Sequence, residues 1–207
     1  FLVDNQRYVR KDSSLRNNLA KINALIVEPF YNLLCAGEEK KPKYIGAKML
    51  DAGDIIQTLI GWTAIGYGRS QLPLFRFPIG GHSFREKSTE TQKGIQVMSG
   101  AISRLSLKCK PIDSKRALYL ISGPDKEVSM DVIKETGAYL KALTPEAIIR
   151  SGDYPRGRGL LDVTVILSEL SNVAKVRNYF TKAISLVSTI KKRQEGIERT
   201  YGAIEGT

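Results

Sequence analysis

The sequence alternates short apolar runs with helical stretches, and this alternation constrains the fold more than any other feature. Four runs are rich in apolar residues and are bounded by glycine, proline or polar residues, which is typical of strands. The predicted strands cover residues 62–67, 116–122, 147–152 and 160–168. The last two follow one another across a turn at 153–159, which predicts a hairpin. Two strand–helix–strand units ending in a hairpin imply an α/β fold, a mixed sheet of about four strands covered by helices.

Apolar residues at helical spacing predict helices around these strands. The first predicted helix begins at Asp12, Ser13 or Ser14, and Pro29 should kink or break it. Residues 36–48 are a predicted polar loop. The later predicted helices end near Gly61, Leu107, Leu143 and Arg199.

Residues 69–88 are a second predicted loop, with two prolines and the pair Gly80-Gly81. Loops of about 20 residues are uncommon inside compact domains and are often functional. This length therefore suggests a function.

The composition argues against several classes of protein. The chain has two cysteines, Cys35 and Cys109, and one histidine, His82, without the spacing of a zinc site, so no metal site is predicted. Both cysteines are expected to be small buried hydrophobes. No apolar run approaches the roughly 20 residues of a membrane span, and no secretion leader is visible, so a cytoplasmic protein is expected. The start at Phe1, without an initiator methionine, suggests a cut chain.

The net charge is strongly positive. Thirty-two Lys and Arg against 21 Asp and Glu give a formal charge of +11. Such an excess suggests an acidic partner, which includes nucleic acid, an anionic membrane or the negative face of another protein. The basic residues are dispersed and are not interleaved with aromatic residues on one strand, as base stacking would require. A basic nucleic-acid-binding α/β module is one alternative, but no specific nucleic acid is expected.

Candidate chemistry is sparse, because neither a Walker-type loop nor a Gly-x-Gly-x-x-Gly turn is present. Residues 156–159, Arg-Gly-Arg-Gly, could grip phosphates, although a turn between strands explains their glycines. Asp51 and Asp54 lie three residues apart at the start of a predicted helix. Either they are an N-cap and a first-turn carboxylate, or they are displayed together to polarise a water near a phosphate.

Four motifs, in order along the chain, resemble the tubulin/FtsZ superfamily. Residues 1–5, Phe-Leu-Val-Asp-Asn, resemble the aromatic-x-x-Asp-Asn run in the core helix of tubulins. Residues 49–55, Met-Leu-Asp-Ala-Gly-Asp-Ile, resemble Asn-x-Asp-Phe-x-Asp-Val, the catalytic loop of FtsZ. Residues 116–124 look like an FtsZ strand exit. Residues 150–155, followed by 161–167, are most similar to the archaeal CetZ-like branch.

The resemblance implies the carboxy-terminal half of a cytoskeletal GTPase that acts in cell division or cell shape. Residues 1–35 would form the core helix that leads from a missing GTP-binding domain. Residues 36–199 would form the C-terminal domain, and residues 200–207 a tail. The fragment alone is expected to be inactive and to bind no nucleotide, because the family's GTP-phosphate loops lie in the missing half.

The resemblance also implies roles for single residues. Phe1 would stack on guanine and Asn5 would hydrogen-bond its edge. Asp51 and Asp54 would orient the attacking water in the GTP site of the next subunit of a head-to-tail filament. The implied cofactors of the intact protein are GTP or GDP and Mg²⁺.

Two further expectations follow from the resemblance. Residues 69–88 occupy the position of the tubulin M-loop, which implies lateral contacts between filaments. Met49 replaces the asparagine that begins the FtsZ loop. This replacement favours a divergent member of the family, and it leaves a non-hydrolysing homologue that regulates filaments as a second alternative.

Overall fold

The computed structural model describes residues 1–11, 14, 18–36, 49–71, 84–124, 127–156 and 159–205. The chain divides into two compact units, residues 1–171 and residues 172–207. The second unit contains one helix, α6 (Ala174–Glu205). The first unit contains the helices α1 (Asn5–Lys11), α2 (Leu19–Cys35), α3 (Ala52–Thr58), α4 (Phe84–Ser103) and α5 (Met130–Leu143), and the strands β1 (Ala64–Gln71), β2 (Arg116–Gly123), β3 (Ile148–Pro155) and β4 (Leu160–Ser168).

The four strands form one mixed sheet in the order β1-β4-β2-β3. Strand β4 runs antiparallel to both β1 and β2, whereas β2 and β3 are parallel. The α/β fold with a four-stranded mixed sheet is therefore confirmed.

The predicted hairpin between the last two strands is wrong, because β2 lies between β3 and β4. Every residue of β4 after Leu160 is buried, so β4 belongs in the interior of the sheet with a partner on each side. The first three residues of β3 are exposed or half-buried, as suits an outer strand. Helix α5 supplies the long crossover that parallel strands require.

One face of the sheet packs against α2 and the start of α3. Alternate side chains of a strand point to opposite faces, so every second residue of β2 contributes to this core. Only one side of α2 faces the sheet, so its buried residues recur at helical spacing and the others are more exposed. The core on this face is formed by Leu33, Leu50, Ile65, Leu118, Leu120 and Ile166, with Phe30 and Ile55 packed against it.

Helices α4 and α5 cover the opposite face. The hydroxyl of Tyr119, on β2, donates to the carbonyl of Ile133, on α5, at 2.7 Å. Helix α4 lies directly on the backbone of β1. A Cβ added at Gly66 would lie 2.3 Å from the carbonyl oxygen of Ala101, and one at Gly68 would lie 2.0 Å from that of Val97. Only glycine permits so close an approach of helix to strand.

Helix α2 begins later than the first predicted helix, and α1 precedes it. The side chain of Asn18 accepts a hydrogen bond from the backbone N–H of Lys21 at 3.0 Å, so Asn18 is the N-cap of α2. Of the caps predicted at positions 12 to 14, only Ser14 lies among the described residues, and it precedes α2. Helix α2 continues through the buried Pro29 to Cys35, so Pro29 does not end it.

Residues 1–4 precede α1 and are not helical, so the placement of the aromatic-x-x-Asp-Asn run within the core helix is wrong. The backbone N–H of Leu2 donates to the carbonyl of Thr63 at 2.8 Å. The hydroxyl of Ser106 donates to the carbonyl of Leu2 at 2.7 Å. These bonds tie the segment to the residues around β1, and this pairing takes the place of helical hydrogen bonds.

The predicted loop at 69–88 is wrong at both ends. Strand β1 continues to Gln71, which pairs with Leu160, and α4 already begins at Phe84. Residues 72–83 lie outside the described part of the chain. Helix α6 likewise extends to Glu205, through residues predicted to form a tail. The predicted domain boundaries after residues 35 and 199 stay a prediction.

Candidate functional site

Asp51 is the N-cap of α3. Its Oδ1 accepts a hydrogen bond from the backbone N–H of Asp54 at 2.7 Å, and its backbone has the extended conformation of a cap residue. Asp54 lies in the first turn, where a carboxylate interacts favourably with the helix dipole. The capping interpretation of the pair is therefore confirmed. Capping leaves the Asp51 side chain exposed and fixes the backbone that carries Asp54.

Asp54 is held by an arginine that the sequence analysis did not connect with it. The Nε of Arg150, on β3, donates to Oδ1 of Asp54 at 3.2 Å, and its Nη2 donates to Oε1 of Gln57. The side chain of Asp54 is 37% exposed and that of Arg150 is 19% exposed. The carboxylate therefore faces solvent on one side and a mostly buried guanidinium on the other.

The C-terminal end of α3 is fastened to the sheet. Arg116, the first residue of β2, donates through Nη1 to the carbonyl of Gln57 at 2.9 Å and pairs through Nε with Glu169 at 3.0 Å. The hydroxyl of Ser168, the last residue of β4, donates to the carbonyl of Thr58. Strand ends thus anchor the short helix that carries the two carboxylates.

Apolar side chains are exposed around these carboxylates. Ile55 and Ile56 are neighbours on α3 but differ in burial. Only Ile55 packs against the core, while Ile56 is 71% exposed. Exposed apolar residues in so short a stretch are typical of a surface covered by another protein. The α3 apolar surface comprises Met49, Ile56, Ile60 and Trp62.

The predicted guanine contacts, Phe1 and Asn5, lie on a different element from the carboxylates. The ring of Phe1 contacts that of Phe30 edge to face, with centroids 4.6 Å apart, and 49% of Phe1 is exposed. Asn5 is the exposed first residue of α1. The predicted role of Phe1 and Asn5 in binding guanine stays a prediction. Phe1 and Asn5 belong to the start of the chain, whereas Asp51 and Asp54 belong to α3.

A comparison with protein families decides the relationship. The family model described as the C-terminal domain of tubulin-like CetZ matches residues 12–185. The chain belongs to the CetZ family. CetZ3 from Haloferax volcanii is 26% identical over 204 residues, which covers 94% of the chain and 52% of that relative. CetZ1 from the same organism is also 26% identical, over 207 residues, with 93% and 52% covered. The chain spans about half the length of these curated relatives.

Solved structures agree on the fold. CetZ2 from Haloferax volcanii, solved as a GTPgS-bound protofilament, superimposes with a TM-score of 0.72 at 21% identity, covering 92% of the chain and 52% of that structure. CetZ from Methanosaeta thermophila superimposes with a TM-score of 0.64 at 18% identity, covering 99% and 52%. An empty FtsZ dimer from M. jannaschii gives 0.56 at 16% identity, with 82% and 44% covered. The chain therefore has the fold of the C-terminal half of CetZ and FtsZ.

Residues 156–159 are the candidate phosphate-binding segment of this CetZ-family fold, and Arg156 within it already binds other side chains. Arg156 donates through Nη2 to Oδ2 of Asp162, on β4, and through Nη1 to Oδ1 of Asn32 at 3.1 Å. The Tyr67 hydroxyl also donates to Oδ2 of Asp162, at 3.1 Å. Burial raises the pKa of the Asp162 carboxyl, and the Arg156 guanidinium opposes that rise. Arg156 therefore belongs to a buried ion pair, while Arg158 lies outside the described residues.

Arg69, the first residue of the predicted lateral-contact segment, also has a structural role. Its guanidinium pairs with Glu28 on α2 and donates to the Tyr67 hydroxyl at 2.7 Å. Arg69 thus ties β1 to α2.

Both cysteines of this CetZ-family chain are free. Burial raises the pKa of the Cys109 thiol to about 11, so the thiol stays protonated at neutral pH. Cys35 and Cys109 are both free and half-buried. In the described part of the chain, no group of three His, Cys, Asp or Glu residues could hold a metal ion. A search of the same residues finds no helix long and apolar enough to cross a membrane.

Proposed function

We propose that this chain is the polymer-contact half of a cytoplasmic, cytoskeletal GTPase that assembles head to tail. In this proposal Asp51 and Asp54 act in the GTP site of the next subunit. The observation that carries the proposal is the position of both carboxylates on an exposed helix start, flanked by the α3 apolar surface. A solvent-facing pair of acids on a surface suited to a protein neighbour can serve a site that lies on that neighbour. The structure of CetZ2 as a GTPgS-bound protofilament supports self-assembly with bound nucleotide.

Each carboxylate has a separate task. Asp54 accepts a hydrogen bond from the attacking water and so orients it towards the terminal phosphate. Asp51 caps α3, which keeps Asp54 in place, and adds a second negative charge beside the water. When bound, GTP with Mg²⁺ supplies the transferred phosphoryl group and neutralises part of its charge. Neither Asp51 nor Asp54 is assigned to the metal, because the side chains already bind the helix backbone and Arg150.

In the same proposal Phe1 stacks on the guanine base and Asn5 hydrogen-bonds its edge, both within one subunit. A nucleotide bound near the start of the chain and acids displayed by α3 belong to two different contact surfaces. Two different surfaces that meet in a head-to-tail contact do not close, so assembly continues into a filament. Such filaments would serve cell division or cell shape, and residues 69–88 would make lateral contacts between them.

A non-hydrolysing homologue is the second candidate, and the side chain at position 49 is the observation that favours it. Met49 is 74% exposed beside the acids, at the position where the FtsZ loop has an asparagine. A thioether cannot donate the hydrogen bonds that an amide offers to a neighbouring nucleotide. This candidate predicts filaments that form with GTP but release no phosphate at any concentration.

The proposal is tested by the concentration dependence of GTP hydrolysis in the intact protein, meaning this chain together with its GTP-binding half. Phosphate release should be negligible below a threshold concentration and should rise linearly above it. The same threshold should mark the onset of sedimentation, because the site forms only between subunits. A rate per subunit that is equal at all concentrations would show a site complete within one subunit.

A matched pair of variants sharpens this test. Ile56→Lys places a charge on the α3 apolar surface and should raise the threshold by about tenfold, which corresponds to roughly 1.4 kcal/mol. Met130→Lys makes the same change at a 47% exposed residue that follows the far end of β2, and it should leave the threshold unchanged. Equal thresholds for Ile56→Lys and the wild type would show that α3 lies outside the filament contact.

A further inference from the structure

Arg150 is a mostly buried cation that donates to two side chains of α3. Its Nε binds Asp54 and its Nη2 binds Gln57, which lie three residues apart on one side of the helix. Arginine suits this arrangement, because its planar guanidinium presents several donors in a fixed fork. A lysine ammonium at the same place would be a single point charge without that geometry.

The burial of Arg150 is costly, and this cost argues for a role beyond packing. The side chain of Arg150 is only 19% exposed, and a buried charge must be paired. Among the described residues, Nη1 of Arg150 is buried without a hydrogen-bond partner. A buried donor without a partner calls for an explanation, such as a bound water or a functional role. An apolar residue at this position of β3 would avoid the cost but would lose the contact with Asp54.

The bond to Arg150 also restricts Asp54. A carboxylate in a first helical turn can rotate between the helix N-terminus and solvent. The Nε of Arg150 engages Oδ1, and β3 holds the arginine within the sheet. Fixing Oδ1 presents the second oxygen in one direction. Preorganised geometry of this kind lowers the cost of orienting a reacting water.

We propose that Arg150 is a positioning residue for GTP hydrolysis, acting through Asp54 on the water in the neighbour's site. The inference rests on the proposed function of Asp54 and deepens it. Arg116 provides the contrast, because it binds α3 at the carbonyl of Gln57 rather than at the carboxylate of Asp54. Arg116 anchors the helix, whereas Arg150 sets the orientation of the carboxylate.

The test is a double-mutant cycle in the intact protein, read by phosphate release from sedimented filaments. Arg150→Met should slow hydrolysis at least tenfold while the pelleted fraction stays unchanged. In the Asp54→Asn background the same substitution should cause no further loss, because Arg150 acts only through the carboxylate. Arg150→Lys should give an intermediate rate and keeps the test available if Arg150→Met fails to fold. Lys141→Met is the control: it removes an ammonium that donates to the carbonyl of Ala147 at 3.0 Å, and it should lower the urea midpoint without changing the rate per filament subunit.

A second readout needs no nucleotide. In residues 1–207, the Nε–H proton of Arg150 should exchange slowly with solvent by NMR, and Asp54→Asn should shift its signal and speed its exchange. The inference is overturned if Arg150→Met hydrolyses GTP at the wild-type rate, or if Arg150→Met slows hydrolysis further in the Asp54→Asn background. It is also overturned if Asp54→Asn leaves the Nε–H signal of Arg150 unchanged. Wild-type hydrolysis by Asp54→Asn itself would instead reject the proposed function.

Discussion

Asp54→Asn in the intact protein should slow GTP hydrolysis roughly 10²–10⁴-fold, the usual contribution of a positioned acid or base. The amide is nearly isosteric with the carboxylate, so α3 and the filament contact should survive. Filaments should therefore still form with GTP but persist for longer, because turnover is lost. Phosphate release and sedimentation over time measure the two effects separately.

Two control variants separate charge from structure. Asp51→Asn removes a charge but keeps an oxygen that caps α3 well, so stability should hold while hydrolysis falls. Asp131→Asn changes an exposed first-turn acid of α5 and should alter neither property. If Asp54→Asn hydrolysed GTP as fast as Asp131→Asn, the catalytic assignment would be wrong.

Gly68→Ala should cost at least about 3 kcal/mol of unfolding free energy, the upper part of the range for overpacked cores. The new Cβ would lie 2.0 Å from the carbonyl oxygen of Val97 and 2.7 Å from the backbone nitrogen of Ala101. Both atoms belong to the backbone of α4, so no side-chain rotation relieves the clash. The helix would have to move away from β1. Urea unfolding of residues 1–207 measures the loss.

Gly100→Ala is the matched control, because Gly100 lies on α4 opposite Gly68. Its Cβ would meet only the Cα of Gly68, at 3.9 Å, which is ordinary contact. Alanine also has the higher helix propensity, worth up to about 1 kcal/mol within a helix. Gly100→Ala should therefore be neutral or stabilising. Equal losses in the two variants would contradict the close packing of α4 on β1.

Local patterns predicted most elements of the fold, because they depend on neighbours along the chain. The strand at 160–168 was predicted with both ends correct, since its apolar run is long and sharply bounded. The hairpin failed because strand order depends on competition among all strands for partners. A buried strand such as β4 takes two partners, and nothing in the turn at 153–159 indicates which ones.

In the candidate site, too, local features could be predicted from the sequence and long-range contacts could not. The cap at Asp51 is encoded within four residues and was predicted. Arg150 was not connected with Asp54, because the two are 96 residues apart and only the fold brings them together. The resemblance placed Phe1 in a helix, whereas residues 1–4 are not helical and bond to distant residues, including Ser106. Long-range polar contacts of this kind have no periodic signal in the sequence.

Restoration of activity in trans tests the central claim most directly, because the acids are proposed to serve a neighbouring subunit. Intact protein carrying Asp54→Asn retains its own nucleotide site but lacks the acid. Adding wild-type residues 1–207, which supply the acid and, of the proposed nucleotide site, only Phe1 and Asn5, should restore phosphate release in proportion to the amount that co-sediments. Residues 1–207 carrying Asp54→Asn should bind equally and restore nothing. Co-sedimentation of the wild-type chain without any phosphate release would contradict the shared site.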